Sequence, residues 1–129
     1  MEKVEWAPAM VLGVDAVDAA HRDLLERMNH FLNGSDSEVA QGMEALVTAM
    51  ERDFRAEEEL MEQIAYPGIR PHMEQHARVL ATLHRIEPGD VAAALAALVL
   101  LPQWFEVHRA TLDTALAVAL DLAATPPPA

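Results

Sequence analysis

The sequence predicts an all-α protein, an antiparallel up-down-up-down four-helix bundle that follows an irregular N-terminal arm. Hydrophobic residues make up 52% of the 129 residues but aromatic residues only 5%, with many Ala and Leu and few β-branched residues. That composition favours helices over strands. Apolar residues recur at helical spacing in four segments, and Gly or Pro separates most of them. Because the connections are short, neighbouring helices are expected to be antiparallel.

The length predicts a single domain over residues 1–129, with an N-terminal arm over 1–17 and a proline-rich tail over 124–129. In the arm, Trp6 with Met10 and Leu12 is expected to pack across the bundle. The first helix is predicted to begin near Asp18 as its N-cap and to end at Asn33, with Gly34 as a C-terminal cap.

The second helix has a clear start signal, because Ser35 is followed three residues later by Glu38 and forms a capping box. Its apolar stripe runs to about Gln63, where Tyr66-Pro67-Gly68 breaks the pattern.

The third helix is predicted to start between Ile69 and Pro71 and to end before Pro88-Gly89. Asp90 is a predicted N-cap for the fourth helix, which runs to about Ala123. Pro102 lies inside that segment, so a kink or break is expected there.

Charge and composition exclude several classes of function. The formal net charge of −12 argues against nucleic acid and against an anionic membrane surface as partners. The absence of Cys excludes disulfides, thiolate metal sites and cysteine nucleophiles. The N-terminus has no signal-peptide pattern, and the apolar run Val91–Pro102 is too short to span a bilayer. A cytoplasmic protein without a membrane partner is therefore expected. A monomer is also expected, because the sequence has no exposed heptad seam.

Histidines and carboxylates are placed so that each predicted helix can offer a metal ligand. His72 and His76 are four residues apart, about 40° on a helix, and Asp53 and Glu57 have the same spacing. The first helix offers His21. The fourth offers His108 and Asp113, which are five apart and so about 140° from one another on an α-helix. The two cannot point at one atom in parallel, but they could flank a site from two sides, with the carboxylate reaching across.

This donor set predicts a metal site in the bundle core, where facing helices build such sites. Imidazole and carboxylate without sulfur suit iron, manganese or zinc, and seven donors are too many for one tetrahedral zinc. The set suits two ions bridged by carboxylates. A bundle that binds another metal, or one ion only, remains an alternative.

The same stretches resemble the hemerythrin family, in particular its bacterial single-domain members, from Trp6 to about Leu116. The matching stretches are Val17-Asp18-Ala19-Ala20-His21-Arg22-Asp23-Leu24-Leu25, Phe54-Arg55-Ala56-Glu57-Glu58-Glu59-Leu60-Met61, Tyr66-Pro67 leading to His72-Met73-Glu74-Gln75-His76, and Trp104-Phe105-Glu106-Val107-His108 followed by Asp113.

The resemblance implies a cofactor of two non-haem iron ions joined by an oxo or hydroxo bridge. It implies that Glu57 and Asp113 bridge the irons and that His72, His76 and His108 bind the coordinatively filled iron. His21 then belongs to the other iron, where dioxygen binds.

The chain departs from the family pattern at Asp53, where the motif has a histidine on the dioxygen-binding iron. A carboxylate there adds a negative charge and favours ferric iron, so we expect fast autoxidation. Alternatively Asp53 is too short to reach the iron, or it orients a water from outside the coordination sphere.

The resemblance therefore predicts a protein that binds O2 or a related small diatomic or peroxide ligand, for sensing, storage or delivery. The alternatives are a di-iron enzyme with peroxidase or oxidase activity and an iron-handling domain.

Overall fold

The computed structural model of the protein describes residues 5–31 and 34–124. The helices in this part of the chain are α1 (Asp15–His30), α2 (Asp36–Gln63), α3 (Ile69–His84) and α4 (Val91–Ala124). A short 3-10 turn (Pro8–Met10) precedes α1, and α4 contains a π-helical turn (Arg109–Asp113). These described residues include no strand, which confirms the predicted four-helix fold class.

Contacts between side chains show that sequential helices run antiparallel. Between α2 and α3, His76 lies 2.8 Å from Glu58 and His84 lies 2.7 Å from Glu51, so numbering rises on one helix as it falls on the other. The α3–α4 pair behaves alike, since His76 lies 3.2 Å from His108 and His72 lies 2.9 Å from Asp113. The up-down connectivity follows from loops that are too short for a crossover.

The hydrophobic core occupies the centre of the bundle. Leu46, Met50 and Leu98 are fully buried, and each contributes about 1.5–3 kcal/mol to folding. Trp6 packs against this core and Met10 is part of it, as predicted, whereas Leu12 is half-buried and does not belong to the core. Leu24, Leu25, Met28 and Met61 are also buried.

The first helix differs from its prediction at both ends. It begins at Asp15, one turn before Asp18, so residues 15–17 are helical and do not belong to the arm. Asp18 acts from inside the first turn, where its carboxylate accepts the backbone N–H groups of Leu12 (2.8 Å) and Gly13 (3.1 Å). The helix ends at His30, before Gly34, which does not adopt the left-handed conformation of a C-terminal cap. Asn33 lies outside the described residues.

The other predicted boundaries agree closely with the structure. Ser35 and Glu38 form the predicted capping box, and α2 ends at Gln63. The Asp90 carboxylate accepts the N–H of Ala93 at 3.1 Å and caps α4. That helix continues to Ala124, one residue into the predicted tail; residues 125–129 lie outside the described part.

Helix α4 runs through Pro102 without interruption. Of the kink or break expected there, a break is therefore wrong, and Pro102 is buried inside the helix. By length and composition alone, α4 is therefore apolar enough to cross a membrane. Its buried residues Leu98, Leu101 and Phe105 nevertheless belong to the bundle core, so the helix serves as a core element.

Candidate metal centre

Five buried side chains from three helices converge at one point in the bundle. One ligand atom from each of them lies within 4.8 Å of the others, and these residues are Glu57, His72, His76, His108 and Asp113. The helical spacing explains part of this arrangement, since the four-residue interval turns His72 and His76 toward the same side of α3.

The π-helical turn explains why His108 and Asp113 also meet. In a regular α-helix the two would point about 140° apart. Here His108 Nε2 lies 3.2 Å from Asp113 Oδ1. The backbone N–H of Thr114 bonds to the carbonyl of Arg109, five residues back, which is the π-helical spacing. The wider turn brings both side chains to the core face, so the 140° offset of a regular α-helix does not apply here.

Asp113 divides the cluster into two sides. Its Oδ1 atom lies 2.9 Å from His72 Nε2, whereas its Oδ2 atom lies 2.9 Å from His21 Nε2. Glu57 Oε1 is 2.8 Å from His72 Nε2. The carboxylate of Asp113 thus joins a group of three histidines to His21 on α1, so all four helices contribute.

Most of these close contacts are not hydrogen bonds. Within the described chain, the Nε2 atoms of His21 and His72, Oε1 of Glu57 and both oxygens of Asp113 are buried and have no hydrogen-bond partner. Buried polar atoms left in this way cost about 1–3 kcal/mol each. Converging lone pairs without mutual hydrogen bonds are the geometry that cation ligands adopt, so the residues present fit a metal site.

Burial and mutual repulsion shift the ionisation of the cluster. Burial, reinforced by the adjacent Asp113 carboxylate, raises the pKa of Glu57 well above its usual range. Burial also lowers the pKa of His76 to about 3, helped by the neighbouring imidazoles of His108 and His72. The pKa of His72 rises to about 9 despite its burial, because Asp113 and Glu57 lie beside it.

Asp113 shows the opposite behaviour from Glu57. Burial favours its neutral form, but contacts with Glu57, His108 and His21 outweigh burial and hold its pKa below its usual range. Glu57 therefore favours its protonated form beside an ionised Asp113, so protons partly neutralise the charge of the cluster. A cation that binds the site displaces them.

Side chains outside the cluster hold its imidazole rings in place. The Nδ1 atoms of His76 and His108 lie 2.8 Å from Glu58 and from Gln75, respectively. Such outer contacts fix the ring orientation and leave Nε2 for a metal. These roles of Glu58 and Gln75 were not predicted from the sequence. Their positions next to Glu57 and His76 are the only feature of the sequence that points to them.

Aromatic rings cover three of the histidines. Phe54 stacks on His76 with ring centroids 3.9 Å apart, and Trp104 stacks on His108 at 4.8 Å. Phe105 meets His21 edge-on at 5.2 Å. The aromatic residues next to the motifs therefore pack against the site histidines as well as the core.

Asp53 stands apart from the five converging residues. Its Oδ1 atom is 3.1 Å from Nε of Arg52, while its Oδ2 atom is buried and has no hydrogen-bond partner among the described residues. It lies one turn from Glu57 on the same face of α2, where Cβ atoms are about 5–6 Å apart. Its role as a ligand stays a prediction.

The two remaining histidines, His30 and His84, lie outside the cluster. His30 is exposed. His84 is exposed and bonds to Glu51 at 2.7 Å.

The chain is similar to two curated bacterial proteins. The bacteriohemerythrin of Ralstonia nicotianae is 27% identical over 117 residues, which cover 88% of this chain and 85% of the relative. The bacteriohemerythrin of Stenotrophomonas maltophilia is 30% identical over 80 residues, which cover 59% of this chain and 52% of that relative. No protein-family profile and no solved structure matches the chain. The chain is thus similar in sequence to bacteriohemerythrins, and its four-helix fold holds a buried cluster of histidines and carboxylates that forms a candidate metal site.

Proposed function

We propose that the chain is a non-haem di-iron protein that binds O2 or a related small molecule. The observation that carries the proposal is the position of Asp113, whose two carboxylate oxygens face different histidines on opposite sides. A carboxylate used in this way bridges two ions. A single ion would leave either His21 or the group of three histidines without a ligand role.

The donors are distributed unevenly between the two sides. His72, His76 and His108, together with Glu57 and Asp113, provide five donors on one side. His21 and the two bridging carboxylates provide three on the other, or four if Asp53 binds. An octahedral ion on the His21 side therefore keeps a free position for a small ligand. When bound, the iron pair supplies the redox chemistry that a dioxygen-binding site needs.

His21 lies in an apolar part of the bundle. Its ring is buried and meets Phe105 edge-on, and Leu25, one turn further along α1, is buried as well. A buried apolar setting favours an uncharged diatomic ligand over an anion, because burying an unpaired charge is costly.

Elemental analysis of the purified protein and two variants tests the proposal. We expect about two Fe per chain in the native protein, because the donors divide into two sets. His21→Ala should retain the ion held by the three histidines and lose the other, whereas Asp113→Asn should lower occupancy of both. His84→Gln, which changes an exposed histidine, should leave the iron content unchanged. A single zinc or manganese ion per chain, insensitive to His21→Ala, would contradict the proposal.

A further inference from the structure

The solvent side of α4 carries a band of large apolar side chains along its length. All the large hydrophobic residues that are exposed in the described chain lie on α4, with the exception of Val11 and Met73. We call this band the outer face of α4, and its residues are Val99, Leu100, Val107, Val118 and Leu122. The exposed fraction reaches 64% at Leu100 and 68% at Leu122. Among the exposed positions of α4 only Asp121 is charged.

The π-helical turn keeps this band on one side of the helix. Val99 and Val118 are 19 positions apart, as are Ala96 and Ala115, and all four are exposed. In a regular α-helix, 19 positions correspond to an offset of about 100°. The extra residue accommodated in the Arg109–Asp113 turn cancels that offset. The turn that brings Asp113 to the core thus also aligns the two halves of the outer face.

A recess beside Leu100 extends the apolar surface onto α3. It has a volume of about 270 Å³, and its walls include Val79, Ala97, Leu100, Leu101 and Trp104. Such a depression next to a projecting leucine can accept an apolar side chain from another molecule.

We propose that the outer face of α4 pairs with the same face of a second copy of this chain. Charge singles out this face, because two chains that each carry a net charge of −12 repel one another through most other surfaces. The outer face is uncharged over most of its length, so it is the place where two copies meet at least electrostatic cost. In a two-fold arrangement the same face of each copy meets the other, so the recess of each copy lies at the edge of the interface.

The size of the face sets the strength of the pairing. A helix of 34 residues is about 51 Å long. With a width of about 10 Å, it buries roughly 500 Å² per copy and about 1,000 Å² in total, the lower limit for a specific interface. The dimer is therefore concentration-dependent and in exchange with the monomer.

A membrane surface fits the outer face less well. Helices that lie on membranes combine an apolar face with flanking Lys and Arg, which bind anionic lipids. Helix α4 has Arg109 as its only Lys or Arg, and that residue is buried. The strong negative charge of the chain opposes binding to an anionic surface as well.

Sedimentation velocity of the metal-loaded protein over a range of concentrations and salt tests the pairing. We expect a reversible monomer–dimer equilibrium that tightens as NaCl is added, since salt screens the repulsion between the two copies. Leu100→Glu and Val107→Glu should each weaken the dimer by about tenfold or more, because each places a carboxylate in the interface. Val11→Glu, a matched change at an exposed valine outside α4, should leave the equilibrium unchanged.

Two controls distinguish the pairing from misfolding and from lipid binding. The helical circular dichroism and the iron content of each variant should equal those of the native protein, which excludes misfolding. A protein that stays monomeric at every concentration and salt would overturn the proposal. So would binding to phosphatidylcholine or phosphatidylglycerol vesicles that Leu100→Glu abolishes without any self-association of the native chain.

Discussion

At the scale of single residues, Asp53 decides how far this site resembles an oxygen-binding centre. Its Oδ1 atom pairs with Arg52, whose Nη2 atom in turn lies 3.7 Å from Asp23. Its buried Oδ2 atom has no hydrogen-bond partner in the described chain, an arrangement that costs free energy unless something else occupies that oxygen. One oxygen of Asp53 therefore takes part in ion pairs at the surface, and the other is buried.

Replacement of Asp53 by His should slow the oxidation of the reduced, iron-loaded protein by O2. A neutral imidazole removes one negative charge and stabilises ferric iron less than a carboxylate does. The rate is measured from the visible spectrum after O2 is added to the reduced protein. We expect at least a tenfold change if the reduction potential governs the rate, equivalent to about 1.4 kcal/mol.

The matched control for that change is Asp23→Asn. It removes a carboxylate from the same surface chain of ion pairs without altering a residue that faces the site. This variant should oxidise at the native rate. If Asp53→His leaves metal content, spectrum and oxidation rate as in the native protein, Asp53 does not act on the iron.

At the scale of secondary structure, the π-helical turn is the element on which the site depends. Its altered backbone pattern is supported by side chains, since the Thr114 hydroxyl donates to the carbonyl of Arg109 at 2.8 Å. Arg109 itself is buried, and its guanidinium contacts Glu106 at 3.1 Å and the carbonyl of Ala9 in the arm. The turn is thus held both by its own threonine and by the N-terminal arm.

Thr114→Val should destabilise the turn and weaken metal binding. Loss of the hydroxyl removes one hydrogen bond, worth about 1 kcal/mol, at the residue next to Asp113. We expect a matching loss in metal affinity by competition with a chelator, together with a small decrease in the free energy of unfolding.

Thr82→Val provides the comparison, because the Thr82 hydroxyl donates to the carbonyl of Arg78 at 3.0 Å within a regular helix. Its removal should leave metal affinity as in the native protein. Equal effects of the two valine variants on affinity would show that the π-helical turn has no special part in metal binding.

At the scale of the whole molecule, the fold was predictable because its signals are local. The capping residues Ser35 and Asp90 act on neighbouring N–H groups, so their effect is readable from a few residues. The meeting of Glu57, His72 and His76 was also predictable, since it needs only helical spacing and bundle connectivity.

The features that escaped prediction depend on tertiary packing. A five-residue spacing such as that of His108 and Asp113 is ordinary in sequence, and the π-helical turn exists because both halves of α4 must bury an apolar face. Pro102 is accommodated for a similar reason, because the core packing of α4 holds the helix continuous. Likewise, the contacts of His76 with Glu58 and of His108 with Gln75 depend on side-chain rotamers.

The stability of the whole protein should depend on pH in a way that reveals metal–proton competition. In the metal-free protein, His72 has a pKa of about 9 against about 6.5 when unfolded, so its stabilising effect is lost as the pH rises from 6.5 to 9. His76 has a pKa of about 3 and stays neutral in the folded protein, whereas the unfolded imidazole gains a proton below about pH 6.5. The folded state therefore loses stability as the pH falls from 6.5 toward 3. From these two histidines, the metal-free protein should be most stable near pH 6.5.

Bound metal should change that profile on the alkaline side. A bound metal replaces the proton on His72 and the proton that burial favours on Glu57. Metal binding therefore releases protons, and the metal binds more tightly as the pH rises toward 9. The difference in the free energy of unfolding between the loaded and the chelator-treated protein should therefore grow between pH 6.5 and 9. Denaturant unfolding of both forms at several pH values measures it, and His84→Gln should reproduce the native profile because that histidine is exposed. A difference that stays constant over this range would mean that the buried cluster does not exchange protons for metal.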